Sequence, residues 1–245
     1  MKEGKSRRQA VFWGVSIGGV LITAAVISLY APGLCLIDLR EIVVSGNYHV
    51  SAAEVAAATG LRAGESLLSI SPRNVSDLVG SLPWVKAVTV RRLYPHRISI
   101  RIRERAPIAT IVLPSGEAMM LGEGGVVVEK VDRPDTTLPQ LLGTPLSGEE
   151  VGASILDQRI IDLLDSLSFD TRLRGVNLRK IDLSDPDSVV LYTDGGPTIL
   201  LGGLDGYPTR LDELAALIRT IDLGSYESID LRFKGEATLV RRVRR

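Results

Sequence analysis

Few residues in this chain are of the types that perform chemistry, and their spacing keeps them apart. The 245 residues include two histidines and one cysteine. His49 and His96 both fall at predicted turns, and neither has metal-ligand spacing to another His, Cys or pair of carboxylates. The lone Cys35 excludes an intrachain disulfide. We therefore expect both histidines at the surface, and we expect no catalytic residue, metal or cofactor.

The remaining candidates for chemistry have simpler explanations. Asp162 and Asp165 stand three residues apart on a predicted helix and share one face, but a solvated acidic face accounts for them. The glycine-rich phrases 122–125 and 202–206 lack the lysine and the glycine spacing of a phosphate loop and are typical of turns. An anchored hydrolase with an unrecognised site stays open as an alternative, which assays for peptidase and glycosidase activity would test.

The segment from Val11 to Tyr30 predicts a membrane anchor, because it is apolar and long enough to cross a bilayer. No Asp, Glu, Lys or Arg stands between Ala10 and Ile37. A helix of about 20 residues spans a hydrocarbon core roughly 30 Å thick. We place this transmembrane helix at residues 11–31. Its most characteristic members are Val11, Phe12, Trp13, Leu21, Ile22, Leu29 and Tyr30.

The charges that flank the anchor predict its orientation. Four basic residues and one acid precede it, whereas uncharged residues follow. Since positive residues stay in the cytoplasm, residues 1–10 form a cytoplasmic tail, and everything from about Asp38 lies outside the cytoplasm. A cleaved signal peptide usually has a shorter apolar region, and a lipoprotein signal needs a small residue where Leu34 stands. We therefore favour a single-pass, type II anchor in the cytoplasmic membrane.

The part of the chain outside the membrane is long enough for two small domains. It carries 25 Lys and Arg residues against 28 Asp and Glu residues. This balance lacks the basic field that nucleic acid requires, apart from the arginine-rich residues 241–245.

Residues 38–105 predict the order strand, helix, helix, strand, strand. Capping signals at Ser51 and Ser71-Pro72 open the two helices. Two alternating strands follow, over 85–92 and 98–102, each with one apolar face.

Residues 106–240 are predicted to be mostly strand with flanking helices, which makes the whole chain α+β. Helices are predicted over 155–167 and 209–221, and a hairpin is predicted around Asp194-Gly195. The closing residues alternate, with a turn or bulge at residues 234–236. On one face this alternation places Ile229, Leu231, Phe233, Ala237 and Leu239.

Several phrases resemble a family of bacterial cell division proteins. The runs 82–95 and 98–109 and the phrases 138–143 and 229–233 are similar to stretches of FtsQ, called DivIB in Gram-positive bacteria. The order of elements in residues 38–105 resembles a POTRA domain, a module of bacterial envelope proteins. The resemblance implies a POTRA domain at 38–105, an FtsQ-type β domain at 106–240 and a basic end at 241–245.

The family resemblance also implies a function, that of a scaffold at the division septum. Such a protein binds FtsB and FtsL and helps control septal peptidoglycan synthesis, with no small-molecule substrate and no enzymatic activity of its own. A strand placed last in the chain is easily left at a sheet edge, where it can accept a strand from another protein. We predict that the partner contacts Arg232, Phe233, Gly235, Ala237 and Leu239.

Two alternatives to this interpretation stay open. In the first alternative, the last strand is an ordinary sheet edge that charged side chains protect from pairing. The other alternative is an envelope chaperone or secretion component that uses its POTRA module on unfolded clients.

Overall fold

The computed structural model describes residues 37–113, 116–233 and 235–242. They form two β-sheets, each with its own hydrophobic core. We call residues 37–105 the small-sheet module and residues 106–242 the large-sheet module. The α+β class is confirmed. The predicted anchor at 11–31 lies outside the described residues, and within them no helix is both long enough and apolar enough to cross a bilayer.

The small-sheet module has the predicted order of elements. They are β1 (Glu41–Ser45), α1 (Ala52–Ala58), α2 (Pro72–Gly80), β2 (Val85–Leu93) and β3 (Arg97–Glu104). β3 lies in the centre of the sheet, parallel to β1 and antiparallel to β2. The hydroxyls of Ser51 and Ser71 accept backbone N–H groups of Glu54 and Asn74, so both predicted helix caps are formed.

One face of the small sheet packs against the two helices. Ile98, Ile100 and Ile102 alternate along β3 and are buried against Val55 and Val75 of the helices. Each such side chain contributes about 1.5–3 kcal/mol by leaving water. The intervening residues of the three strands point to the opposite face, which the helices leave open.

The large-sheet module contains nine strands and two helices. They are β4 (Pro107–Val112), β5 (Ala118–Gly122), β6 (Val126–Val131), β7 (Gln140–Leu142), α3 (Gln158–Phe169), β8 (Leu178–Asp182), β9 (Val189–Thr193), β10 (Thr198–Gly202), α4 (Tyr207–Ile218), β11 (Tyr226–Asp230) and β12 (Thr238–Arg241). The spatial order is β12-β11-β10-β9-β8-β7-β4-β5-β6. Leu163 of α3 and Leu214 of α4 are buried in the core of this module.

The helices and the last strands of the large-sheet module differ in part from the prediction. α3 begins three residues after the predicted start because Asp157 caps it, accepting the N–H of Arg159 at 2.9 Å. The hairpin of β9 and β10 is confirmed. The strand predicted to run through Phe233 ends at Asp230, whose carboxylate accepts the N–H of Arg232 at 3.0 Å. This local turn competes with strand pairing and breaks the run.

Arg105 connects the two modules. Its backbone N–H donates to Trp84 O at 2.7 Å, and its guanidinium donates to Pro83 O at 3.0 Å and to Glu123 O at 2.6 Å. Across the same junction, Arg103 lies 3.2 Å from the Glu123 carboxylate. These contacts tie the end of β3 to the turn between β5 and β6.

Candidate partner-binding edge

β12 forms one edge of the nine-stranded sheet. It is antiparallel to β11, which in turn is parallel to β10. The opposite edge, β6, is partly covered by the segment around Ala153. The N–H of Val127 donates to Ala153 O, and the N–H of Gly152 donates to Val127 O, both at 2.8 Å. Within the described ranges, no backbone group pairs with the outer side of β12. This strand therefore presents an unpaired edge.

The register shows which backbone groups of β12 point outward. Leu231 donates its backbone N–H to Leu200 O at 2.9 Å, on the side of β11 that faces β10. Because backbone groups alternate in direction along a strand, the N–H and C=O groups of Ser228 and Asp230 point toward β12. Their partners on β12 are Val240 and Thr238. Alternation along β12 therefore directs the N–H and C=O groups of Leu239 and Arg241 away from the sheet.

The segment between β11 and β12 is held by an ion pair within one turn. The Arg232 guanidinium lies 2.6 Å from the Asp230 carboxylate, and this contact holds the pKa of that carboxyl below its ordinary value. The same guanidinium carbon lies 6.0 Å from the centre of the Phe233 ring. Arg232 is thus already engaged within the chain, and a partner would meet it as a positioned charge.

Phe233 does not lie on the buried face, contrary to the predicted alternation. Its side chain is 61 % exposed, whereas Ile229 and Leu231 are fully buried. The turn at Asp230 removes the strand geometry that would have pointed the ring inward. An exposed aromatic side chain next to an open sheet edge offers apolar surface to a partner.

Gly235 positions the turn that leads into β12. Its φ of +79° lies in the left-handed region, which L side chains rarely adopt. Its N–H donates to the Glu213 carboxylate of α4 at 3.1 Å, while the other Glu213 oxygen is buried without a partner among the described residues. Ala237 is exposed, and Leu239 packs partly against the core opposite Ile229.

Arg242 holds the end of β12 in place, which the sequence did not indicate. Its guanidinium donates to Gly195 O at 3.2 Å and to Gly196 O at 3.1 Å, in the turn between β9 and β10. Its backbone N–H donates to Ser225 O at 3.0 Å. The sequence shows Arg242 only as one of several terminal arginines, since its acceptors are backbone carbonyls 46 and 47 residues away.

The histidines take part in structural contacts of the small-sheet module. His49 Nδ1 lies 2.8 Å from the Glu104 carboxylate, and its ring stacks on Trp84 at 4.1 Å between centres. His96 Nδ1 lies 2.7 Å from the Asp38 carboxylate, and its side chain is 28 % exposed, so this ring lies at the surface but is half-buried against its partner. In the part of the chain that the structure describes, no group of three or more His, Cys, Asp or Glu residues could hold a metal ion.

Comparisons with known proteins bear on both modules. Residues 38–105 match the family model of the POTRA domain, FtsQ-type, and residues 109–232 match that of the cell division protein FtsQ/DivIB, C-terminal. The chain is 30 % identical to the cell division protein FtsQ of Rhizobium meliloti over 146 residues, 60 % of this chain and 46 % of that protein.

Two further relatives match over more of the chain. It is 27 % identical to FtsQ of Koribacter versatilis over 92 % of its length and 66 % of that protein. It is 24 % identical to the cell division protein DivIB of Clostridium acetobutylicum over 82 % of its length and 84 % of that protein. Because the C-terminal family model alone covers half of the residues, the resemblance is confirmed: the chain belongs to the FtsQ/DivIB family of bacterial cell division proteins.

Proposed function

We propose that this protein is a membrane-anchored scaffold of the division machinery, which captures FtsB, together with FtsL, by adding a strand of that partner to β12. In this proposal residues 1–10 form the cytoplasmic tail and residues 11–31 the anchor. The POTRA domain (38–105), the β domain (106–240) and the basic end (241–245) lie outside the cytoplasm at the septum. The unpaired edge of β12 carries the proposal.

Strand addition suits this edge because it offers both directional and apolar contacts. Leu239 and Arg241 each direct an N–H and a C=O group outward, and each new hydrogen bond contributes about 0.5–1.5 kcal/mol. Phe233 and Val240 add exposed apolar surface, at 61 % and 47 % exposure. Backbone pairing supplies affinity, and these side chains supply specificity for the partner sequence.

A proline at Leu239 tests strand addition directly. The N–H of this residue points away from β11, so Leu239→Pro removes a donor that the protein itself does not use, and proline is tolerated at such edge positions. The variant should keep its fold and lose FtsB capture by roughly tenfold or more, because a pairing donor is lost and the ring obstructs the edge. Affinity is measured with the full chain in nanodiscs and purified FtsB–FtsL.

Two matched variants separate strand pairing from side-chain packing. Leu239→Ala removes the partly buried side chain but keeps the N–H, and it should retain most of the affinity. Val240→Pro removes a donor that pairs with β11, so it should destabilise β12 within the protein itself. Normal FtsB capture by a folded Leu239→Pro variant would show that the edge is not the binding site.

The anchor and the septal position are tested separately from the edge. Reporters fused before Met1 and after Arg245 should face opposite sides of the membrane, with the first in the cytoplasm. A chain truncated before β12 should still reach the septum and should fail to recruit FtsB. A cytoplasmic reporter after Arg245 would refute the proposed topology, and recruitment by the truncated chain would refute the proposed role of β12.

A further inference from the structure

The open face of the small sheet is basic. Four arginines point to it, Arg91 from β2 and Arg97, Arg101 and Arg103 from β3, and all four are exposed. Of the strand residues on this face, all of which the structure describes, Glu41 is the one acid. The helical side of the same module carries charges of both signs, among them Glu54, Asp77 and Arg73, and so lacks this excess of positive charge.

Two of these arginines have no acidic partner among the described residues. Arg97 lies 3.8 Å from Glu41, and Arg103 lies 3.2 Å from Glu123 of the large-sheet module. Arg91 and Arg101 take part in no described ion pair or side-chain hydrogen bond. Their cross-strand neighbours are small, Ser99 opposite Arg91 and Thr89 opposite Arg101, so the two guanidinium groups stand free on a flat surface.

The face begins at the end of the module where the chain enters it. Arg40 donates its backbone N–H to His96 O at 2.8 Å, which brings the entering chain beside the β2–β3 hairpin. At the tip of that hairpin, Leu93 and Tyr94 are 43 % and 57 % exposed. Five residues lie between the predicted anchor end at residue 31 and Ile37, and the six steps of extended chain from one to the other reach at most about 20 Å.

We propose that this open face lies on the outer surface of the membrane that holds the anchor. The inference rests on the anchor of the proposed function. The arginines contact anionic lipid headgroups, and Leu93 and Tyr94 enter the interface, where tyrosine is enriched. The short connection keeps the face within reach of the headgroups, and the charge asymmetry of the module directs the basic side toward them.

The test uses the full chain with Cys35 replaced by serine, reconstituted into phosphatidylcholine vesicles with or without phosphatidylglycerol. A nitroxide label at Thr89→Cys reports on the open face, and a label at Asn74→Cys reports on the exposed side of α2. Collisions with lipid-dissolved oxygen and with a water-soluble nickel complex measure membrane contact. We expect the Thr89 label to enter the lipid surface only when phosphatidylglycerol is present, and the Asn74 label to stay in water.

Neutralising the two free arginines should abolish this contact. The double variant Arg91→Gln/Arg101→Gln should lower the ratio of membrane-bound to free modules by roughly fivefold per arginine. Arg174→Gln/Arg179→Gln makes the same change in charge at exposed positions of the large-sheet module and should have no effect.

Other outcomes would overturn the inference in distinguishable ways. A Thr89 label that stays in water on both kinds of vesicle shows that the face does not bind the membrane. A label that is shielded only when an acidic division protein is added shows that the face binds an acidic protein segment instead. Release of the whole chain by alkaline carbonate shows that the anchor itself, and with it the proposed function, is wrong.

Discussion

Removal of the Glu104 carboxylate should detach the loop that follows β1 from the small sheet. One Glu104 oxygen accepts the backbone N–H groups of Tyr48 at 2.8 Å, His49 at 3.0 Å and Val50 at 3.1 Å. The other accepts from His49 at 3.0 Å and lies 2.8 Å from its Nδ1. The Glu104 side chain is 7 % exposed, so water has little access to this carboxylate.

The expected cost follows from these contacts. A hydrogen bond to a charged group contributes about 1.5–3 kcal/mol, but loop amides regain water once they are released. We therefore expect Glu104→Ala to lower the free energy of unfolding of the small-sheet module by about 2–4 kcal/mol. Glu104→Gln keeps one acceptor oxygen without the charge and should cost about 1–2 kcal/mol.

The stacked ring pair supplies the assay. The chain has two tryptophans, so in a Trp13→Phe background the emission comes from Trp84, which stacks on His49. Urea titrations followed by this emission should give lower midpoints in the order wild type, Glu104→Gln, Glu104→Ala. Asp77→Asn, at an exposed position of α2 outside its first turn, is the control and should leave the midpoint unchanged. Equal midpoints for all four proteins would refute the assigned role of Glu104.

The same carboxylate predicts a pH dependence. Burial alone would raise the pKa of Glu104, but hydrogen bonds from Val50, His49 and Tyr48 outweigh it, and the pKa lies below its ordinary value of 4.5. A carboxyl whose pKa is lower in the folded state than in the unfolded state stabilises the fold fully at pH values above its unfolded-state pKa. This stabilisation is lost as the pH falls through the folded-state pKa. Wild type should therefore lose stability below about pH 4.5, and Glu104→Gln should lose less over this range.

Three further substitutions test other parts of the structure. Gly46→Ala should destabilise the small-sheet module by more than about 2 kcal/mol, because the φ of Gly46 is +81° and a Cβ there would collide with Ile102 O. Thermal unfolding measures this loss, and an unchanged Tm would refute the prediction. Arg242→Ala should speed hydrogen exchange of the β12 amides, because its contact with Gly195 is lost, and should weaken FtsB capture; unchanged exchange would contradict the assigned role. Arg105→Ala should broaden the distribution of distances between two spin labels, one placed in each module. An unaltered distribution would show that other contacts fix the junction.

Local signals in the sequence were sufficient for most elements of the small-sheet module. Ser51 and Ser71 mark helix starts through bonds to residues three positions away, and the alternation of β3 shows its buried face within eight residues. Such short-range features can be recognised from residue types and spacing.

The contacts that the sequence did not reveal join residues distant in the chain or depend on local competition. Glu104 holds amides 54–56 residues away, and no local pattern announces that pairing. The end of β11 depends on competition between strand pairing and the Asp230–Arg232 turn, which apolar alternation does not reflect. The edge position of β12 was expected from its place in the chain, whereas the direction of each of its backbone groups required the register with β11.

The strand order of the large sheet sets a fixed spacing inside the molecule. β4 continues directly from the small-sheet module, and six inter-strand steps separate it from β12. At about 4.8 Å per step, the outer edge of β12 lies roughly 29 Å from β4 across the hydrogen-bonded strands. The sheet therefore fixes the distance between the small-sheet module and β12, and insertion of residues into its loops would leave this distance unchanged.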